Sequence, residues 1–164
     1  MGAKFELSGL DDFLRATGRA QAVFRRGMER AMFKSTTRIK QDAVEEAPRG
    51  VSDPGLKGAL TTKVSWNKGE VGLLAGKAKH GPHVEFGTVP HFPPYKEGTP
   101  LYKWVRLKLK ATNVKSTAFL IARKISRVGT KAQPFFYPSF EKNINKTFKD
   151  FEDALNDIIS VLRK

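Results

Sequence analysis

The feature that most constrains this 164-residue chain is the apolar series near its end: Phe140, Ile144, Phe148, Phe151, Leu155, Ile158 and Leu162. The steps are three or four residues throughout, the spacing of one face of an α-helix. Pro138 suits the first turn of such a helix, which the pattern carries to about Arg163. A face that apolar must be covered by something. The simplest expectation is that it lies on a sheet, with Phe148 and Phe151 in the core. Truncating either to Ala is then expected to cost about 3–5 kcal/mol. A coiled-coil partner is the lesser expectation, because the series spans only about three heptads.

A second helix is predicted over about Arg19 to Ala47, ended by Pro48 and Gly50. Ala20, Phe24, Gly27, Ala31, Ile39 and Ala43 share a face. Gly27 costs about 1 kcal/mol there against Ala, which a close crossing with another element would explain. Arg25, Arg26, Arg30, Lys34, Arg38 and Lys40 occupy the rest of its surface.

Between the two helices the period changes. Leu60, Thr62, Val64 and Trp66 alternate with Thr61, Lys63 and Ser65, which predicts a strand with one apolar face. Asn67-Lys68-Gly69 predicts a turn, with Gly69 free to take positive φ, and Val71, Leu73 and Ala75 the returning strand. Lys4 to Leu7 predicts an edge strand. Ser8 or Asp11 is placed to cap a short helix through Leu14 to Ala16, stopped by Gly18. His83 to Phe86 predicts a third meander strand, with Glu85 pointing opposite to Val84 and Phe86. Phe135 to Tyr137 predicts another strand. Between these two lie a proline-rich extended segment, Val89 to Thr99, and two helices. The first begins at Thr99-Pro100 with the stripe Leu101, Trp104, Val105 and Leu109. The second is capped by Ser116 and ended by Gly129, with the stripe Ala118, Ile121, Ala122, Ile125 and Val128. The order β-α-α-β-β-β-α-α-β-α implies a single α+β domain over residues 1–164. Its antiparallel sheet of about four to five strands would be covered on one face by the long N-terminal and C-terminal helices. A helical insertion of about 89–131 interrupts it.

Composition bounds the partners. Thirty Lys and Arg against sixteen Asp and Glu give +14, an excess that attracts nucleic acid or acidic protein surfaces. No run of 18 uncharged apolar residues occurs, and Met1 to Leu10 lacks the apolar region of a signal peptide, so a soluble protein made in a cytoplasm is expected. The absence of cysteine excludes disulfides and thiolate metal sites. His80, His83 and His91 lack a carboxylate at ligand spacing, so no metal site is expected. There is no phosphate loop, dinucleotide fingerprint or Gly-x-Ser-x-Gly elbow. Neither an enzyme nor a cofactor is implied. For Glu85 the reading is an exposed side chain, or an acceptor of hydrogen bonds from the Gly87-Thr88 turn or from a neighbouring subunit.

Ala47-Pro48 closes the long helix, and Gly58-Ala59-Leu60 opens a strand. Val84-Glu85-Phe86-Gly87-Thr88 follows, and then Ala132-Gln133-Pro134-Phe135-Phe136-Tyr137-Pro138-Ser139-Phe140 before the final helix. This ordered set resembles the tail-component, or tail-completion and neck, proteins of long-tailed bacteriophages. The stretch 49–57 is longer than the family's link, and Gln133 stands where the family usually has Arg. The resemblance implies a non-enzymatic virion protein, assembled in the host cytoplasm. It would form a ring of six or twelve copies at the head–tail neck and surround the DNA path. Its neighbours would be head-completion or connector proteins and tail-tube or tail-terminator proteins. On that reading a ring joins two unlike patches. Arg25, Arg26, Arg30 and Arg38 supply a basic one; Asp150, Asp153 and Asp157, beside Glu152, supply an acidic one. Glu85, Phe92 and Tyr95 are further interface candidates. Lys77, Lys79 and His80 are candidates to face DNA or a partner, in non-specific contact within the channel. The segments 77–82 and 89–99 are expected to be contact loops, poorly ordered in the isolated subunit. The second reading is a free-standing basic nucleic-acid-binding module.

Overall fold

The computed structural model describes residues 2–6, 18–48, 50, 55–74 and 76–162. The short helix expected between Ser8 and Ala16 lies outside them. Strand β1 (Gly2–Glu6) is followed by the long helix α1 (Gly18–Glu46) and a short helix α2 (Gly55–Ala59). The hairpin β2 (Leu60–Ser65) and β3 (Lys68–Leu73) comes next, then a helix α3 (Gly81–Phe86). The insertion carries α4 (Pro100–Trp104), a π-helical turn (Val105–Leu109) and α5 (Val114–Val128). Helix α6 (Tyr137–Leu162) completes the order.

The fold is mainly helical, which corrects the expectation of a four- to five-stranded sheet. Among the described residues the sheet has three strands in the order β1-β3-β2, all antiparallel. Two expected strands are helical or irregular instead. His83 to Phe86 belongs to α3, where Pro82 presets the first turn and the Val84 amide donates to the His80 carbonyl at 3.0 Å. Four residues cannot distinguish a period of 2 from one of 3.6. Phe135 to Tyr137 is the entry to α6: Phe135 and Phe136 are buried, and the Phe140 amide already bonds the Phe136 carbonyl at 3.0 Å. The hairpin turn is also one residue earlier than expected. Ser65 pairs with Lys68 across a Trp66-Asn67 turn, and Gly69 sits in the ladder opposite Val64.

Among the described residues, two clusters form the core. In one, Ile39 and Ala43 of α1 and Ala47 just after it meet Leu60 and Val71 of the sheet, Leu56, and Phe135 and Phe136. In the other, Phe24 and Met28 of α1 meet Ile158 of α6, with Trp66 and Phe151 at the margin. The sheet lies over α1. Helix α6 packs antiparallel along α1, the most extensive contact between elements, rather than covering the sheet as expected. Gly27 marks the crossing. A Cβ there would come within 2.7 Å of the Ile158 side chain, which accounts for a glycine inside a helix.

The face that α6 turns to α1 is the main departure from the sequence pattern. Ser139, Asn143, Thr147 and Asp150 are buried along it, followed by Ile158. The expected stripe divides into two rows. Ile158 is buried, while Phe140, Ile144 and Phe151 are half-buried. Phe148 is 69% exposed and Leu155 41%, and Ile159 beside them 45%. Phe148 is therefore not a core residue. Small polar side chains let two helix backbones approach closely and hydrogen-bond across the seam, where a Phe would hold them apart.

Candidate functional site

Two of the stretches behind the family resemblance, Val84–Thr88 and Ala132–Phe140, meet at Glu85. On α3, Glu85 follows the buried Gly81 by one helical turn, so both residues face inward. Its side chain is 3% exposed. Oε2 accepts from the Phe135 and Phe136 amides at 2.8 and 2.9 Å, and Oε1 from the Tyr137 amide at 2.8 Å. The first amides of a helix lack intrahelical acceptors and carry the positive end of its dipole. Glu85 thus caps α6 from about fifty residues away in the chain. It is neither exposed nor bonded to the Gly87-Thr88 turn.

The same joint closes the insertion. Thr88 and Thr130 exchange backbone hydrogen bonds at 3.1 and 3.3 Å, and their hydroxyls lie 3.0 Å apart. Gly87 and Gly129 flank the pair at φ 74° and 70°. A side chain at Gly87 would strike the Thr130 carbonyl, and one at Gly129 the Thr88 carbonyl. Both positions therefore require glycine on two counts.

Beside the joint is a cavity of about 890 Å³, lined by His80, His83 and His91 with Trp104, Lys131 and Gln133 among others. The three histidines share this cavity. Among the described residues, however, no three His, Cys, Asp or Glu side chains stand close enough to hold a metal ion.

The basic and acidic candidates of the long helices form one seam rather than two patches. Asp150 is buried, accepts from Ser35 Oγ at 3.1 Å, and pairs with Lys34 Nζ at 2.7 Å and with the Arg38 guanidinium. Further along, Asn143 Nδ2 donates to Asp42 Oδ2 at 2.6 Å and to the Ser139 carbonyl at 2.8 Å. Arg26 and Arg30 on one wall, and Asp153 and Asp157 on the other, border a groove of about 330 Å³ between α1 and α6. Arg25 leaves this seam and lies over the Trp66 ring at 5.0 Å. Arg38 and Asp150 are thus occupied within the chain.

Phe92 and Tyr95 form an aromatic cluster with Phe119 of α5, with centroids 5.3–6.4 Å apart. These contacts fasten the proline-rich segment to α5, although Phe92 remains exposed. Lys77, Lys79 and His80 are exposed near the start of α3.

Sequence reasoning missed two surfaces. The first is the outward row of α6, which was assigned to the core. The second is the outer face of the insertion. Residues 89–131 hold ten of the thirty Lys and Arg and a single acid, Glu97, for +9 of the chain's +14. Counting charge by segment would have found it. The insertion also holds the π turn, exposed along Arg106 to Leu109, and Lys110 at φ 48°, a left-handed conformation rare outside glycine. Asn113 rather than Ser116 caps α5, its Oδ1 accepting from the Ser116 amide at 3.0 Å. Leu120 and Val128 of α5 are 59% and 67% exposed. Val128 therefore leaves the expected buried stripe, of which Ala118 and Ala122 are fully buried.

Comparison with family models, curated proteins and solved structures finds no match to this chain. No helix among the described residues is long and apolar enough to cross a membrane.

Proposed function

We propose that this chain is a non-enzymatic assembly protein of a tailed-phage virion. It forms a homo-oligomeric ring at the head–tail neck that joins tail to head around the DNA path. The observation that carries the reading is the outward row of Phe148, Leu155 and Ile159 on α6, exposed while a polar face of the same helix is buried. An apolar helical face left open by its own chain fits a surface that another subunit covers. The Glu85 joint supports the resemblance, since it gives two of the family-like stretches one structural purpose: closing the insertion and starting α6.

At +14 per copy, self-repulsion keeps free subunits apart at low ionic strength, and an adjoining acidic ring supplies the template. Native mass measurement tests this. Monomers are expected alone in low salt, and six or twelve copies on the partner ring. A particle with one copy at its neck contradicts the proposal.

The concentration of charge in residues 89–131 favours a second reading, binding of nucleic acid by the insertion. A DNA module loses affinity steeply as salt rises, in the absence of any partner protein. A shallow salt slope with DNA, together with tight association to a partner ring, decides for the assembly reading.

A further inference from the structure

We infer that neighbouring copies join head to tail, with the basic outer face of α5 on one copy seated on the outward stripe of α6 on the next. The inference rests on the ring reading and specifies its interface.

The α5 face presents Leu120 and Val128 with Arg123, Lys124 and Arg127 around them, lining a shallow groove of about 330 Å³. It holds two apolar anchors, three cations and no acid. In its own chain α5 packs on α4 and the π turn, on its opposite side, through Ala118 and Ala122.

The α6 stripe is its counterpart. Glu141, Phe148, Glu152, Leu155 and Ile159 follow one another at steps of 7, 4, 3 and 4, all exposed. At about 100° per residue, Lys142 and Lys146 fall more than a quarter turn from the middle of this stripe, while Lys149 lies on its flank, about 60° from Glu152. It therefore offers three apolar side chains and two carboxylates, with one cation of α6, Lys149, at its edge. At about 1.5 Å per residue the α5 face, Leu120 to Val128, is roughly 12 Å long, and it fits within the roughly 17 Å of the apolar part of the stripe, Phe148 to Ile159.

Charge also decides the symmetry. An α5–α5 pairing brings three cations against three, and an α6–α6 pairing brings glutamates against glutamates. Only the mixed pairing opposes unlike charges, and a mixed pairing made once with each of two neighbours is the heterologous contact that a ring requires. This assigns the ring contact to surfaces other than the α1–α6 seam, where Asp150 is already paired with Lys34 and Arg38.

The chain has no cysteine, so disulfide trapping reports the contact cleanly. Leu120→Cys and Leu155→Cys are introduced together and separately in the full chain, in about 0.3 M salt to screen net repulsion. The double variant is expected to give a ladder of linked multimers on oxidation. Mixing the two single variants gives a mixed dimer at least tenfold more abundantly than either alone. Adding Arg123→Glu and Arg127→Glu to the double variant abolishes the ladder, and adding Glu141→Lys and Glu152→Lys to that chain restores it. Leu155→Cys that dimerises alone as readily as in the mixture overturns the inference in favour of an α6–α6 contact. A ladder indifferent to Arg123→Glu and Arg127→Glu, with DNA retention lost instead, overturns it in favour of a nucleic-acid face. A ring seen by native mass measurement without mixed disulfides overturns this interface and leaves the ring reading standing. Monomers under every condition, partner ring included, overturn both.

Discussion

The two faces of α6 have exchanged the usual roles of inside and outside. The face against α1 is polar: Ser139, Asn143, Thr147 and Asp150 are buried there, with Asp150 held by Ser35 and Arg38 and Asn143 by Asp42. The face toward solvent carries Phe148, Leu155 and Ile159. A chain complete in itself gains by the opposite arrangement, since burial of each large apolar side chain contributes about 1.5–3 kcal/mol. The seam instead joins the helices by specific pairs, and the apolar area is left exposed. In this molecule amphipathicity identifies the helix correctly and its buried side incorrectly.

Substitutions on the two faces separate these roles. The largest effect is expected at Asp150. Asp150→Ala leaves Arg38 and Lys34 without their carboxylate at the seam, and a loss of about 3–5 kcal/mol of monomer stability is expected in urea unfolding. A loss below about 1 kcal/mol means that the seam does not hold the helices together. Next is Glu85→Ala, which leaves the first amides of α6 without acceptors. About 2–4 kcal/mol is expected, with hydrogen exchange accelerated first at Phe135 to Tyr137. Uniform acceleration along α6 contradicts a capping role.

Phe148→Ala reverses the expectation drawn from the apolar series. With the side chain mostly in solvent, monomer stability is expected to change by no more than about 0.5 kcal/mol, against the 3–5 kcal/mol of a core Phe. A large drop in the monomer's melting temperature returns Phe148 to the core. The smallest effect is expected on the sheet surface. The Lys68 ammonium, 2.7 Å away, holds the Glu70 carboxyl below its ordinary value of 4.5, with desolvation opposing. The contribution is therefore present above the unfolded value and lost as pH falls through the folded one. Because the pair is exposed, Glu70→Gln is expected to leave melting unchanged at pH 7 and pH 3 alike.

Much of the frame is legible in the sequence. The bounds of α1, the β2–β3 hairpin, the Thr99 cap with Pro100, the Gly129 stop and the crossing at Gly27 all follow from local chemistry. Thr99 Oγ1 does accept from the Tyr102 amide, at 3.4 Å. Failures occur where a distant residue decides. Phe135 to Tyr137 is apolar enough for a strand, but its amides are claimed by a carboxylate about fifty positions earlier. Glu85 between Val84 and Phe86 alternates like a strand, yet in α3 it is Glu85 that is buried and Phe86 that is exposed. The charged candidates Arg38 and Asp150, expected on two separate patches, pair with each other within the chain. Their pairing depends on which side of α6 meets α1, and Ser139, Asn143 and Thr147 give no apolar signal of that side.

The central claim is that the outward row of α6 is an assembly surface and not part of the fold. Leu155→Asp with Phe148→Ser tests it in one measurement: native mass of the variant on the partner ring, with its thermal unfolding followed in parallel. The account predicts a monomer that melts with the wild type and never reaches six or twelve copies. A variant that assembles as fully as the wild type, or one that no longer folds, contradicts it.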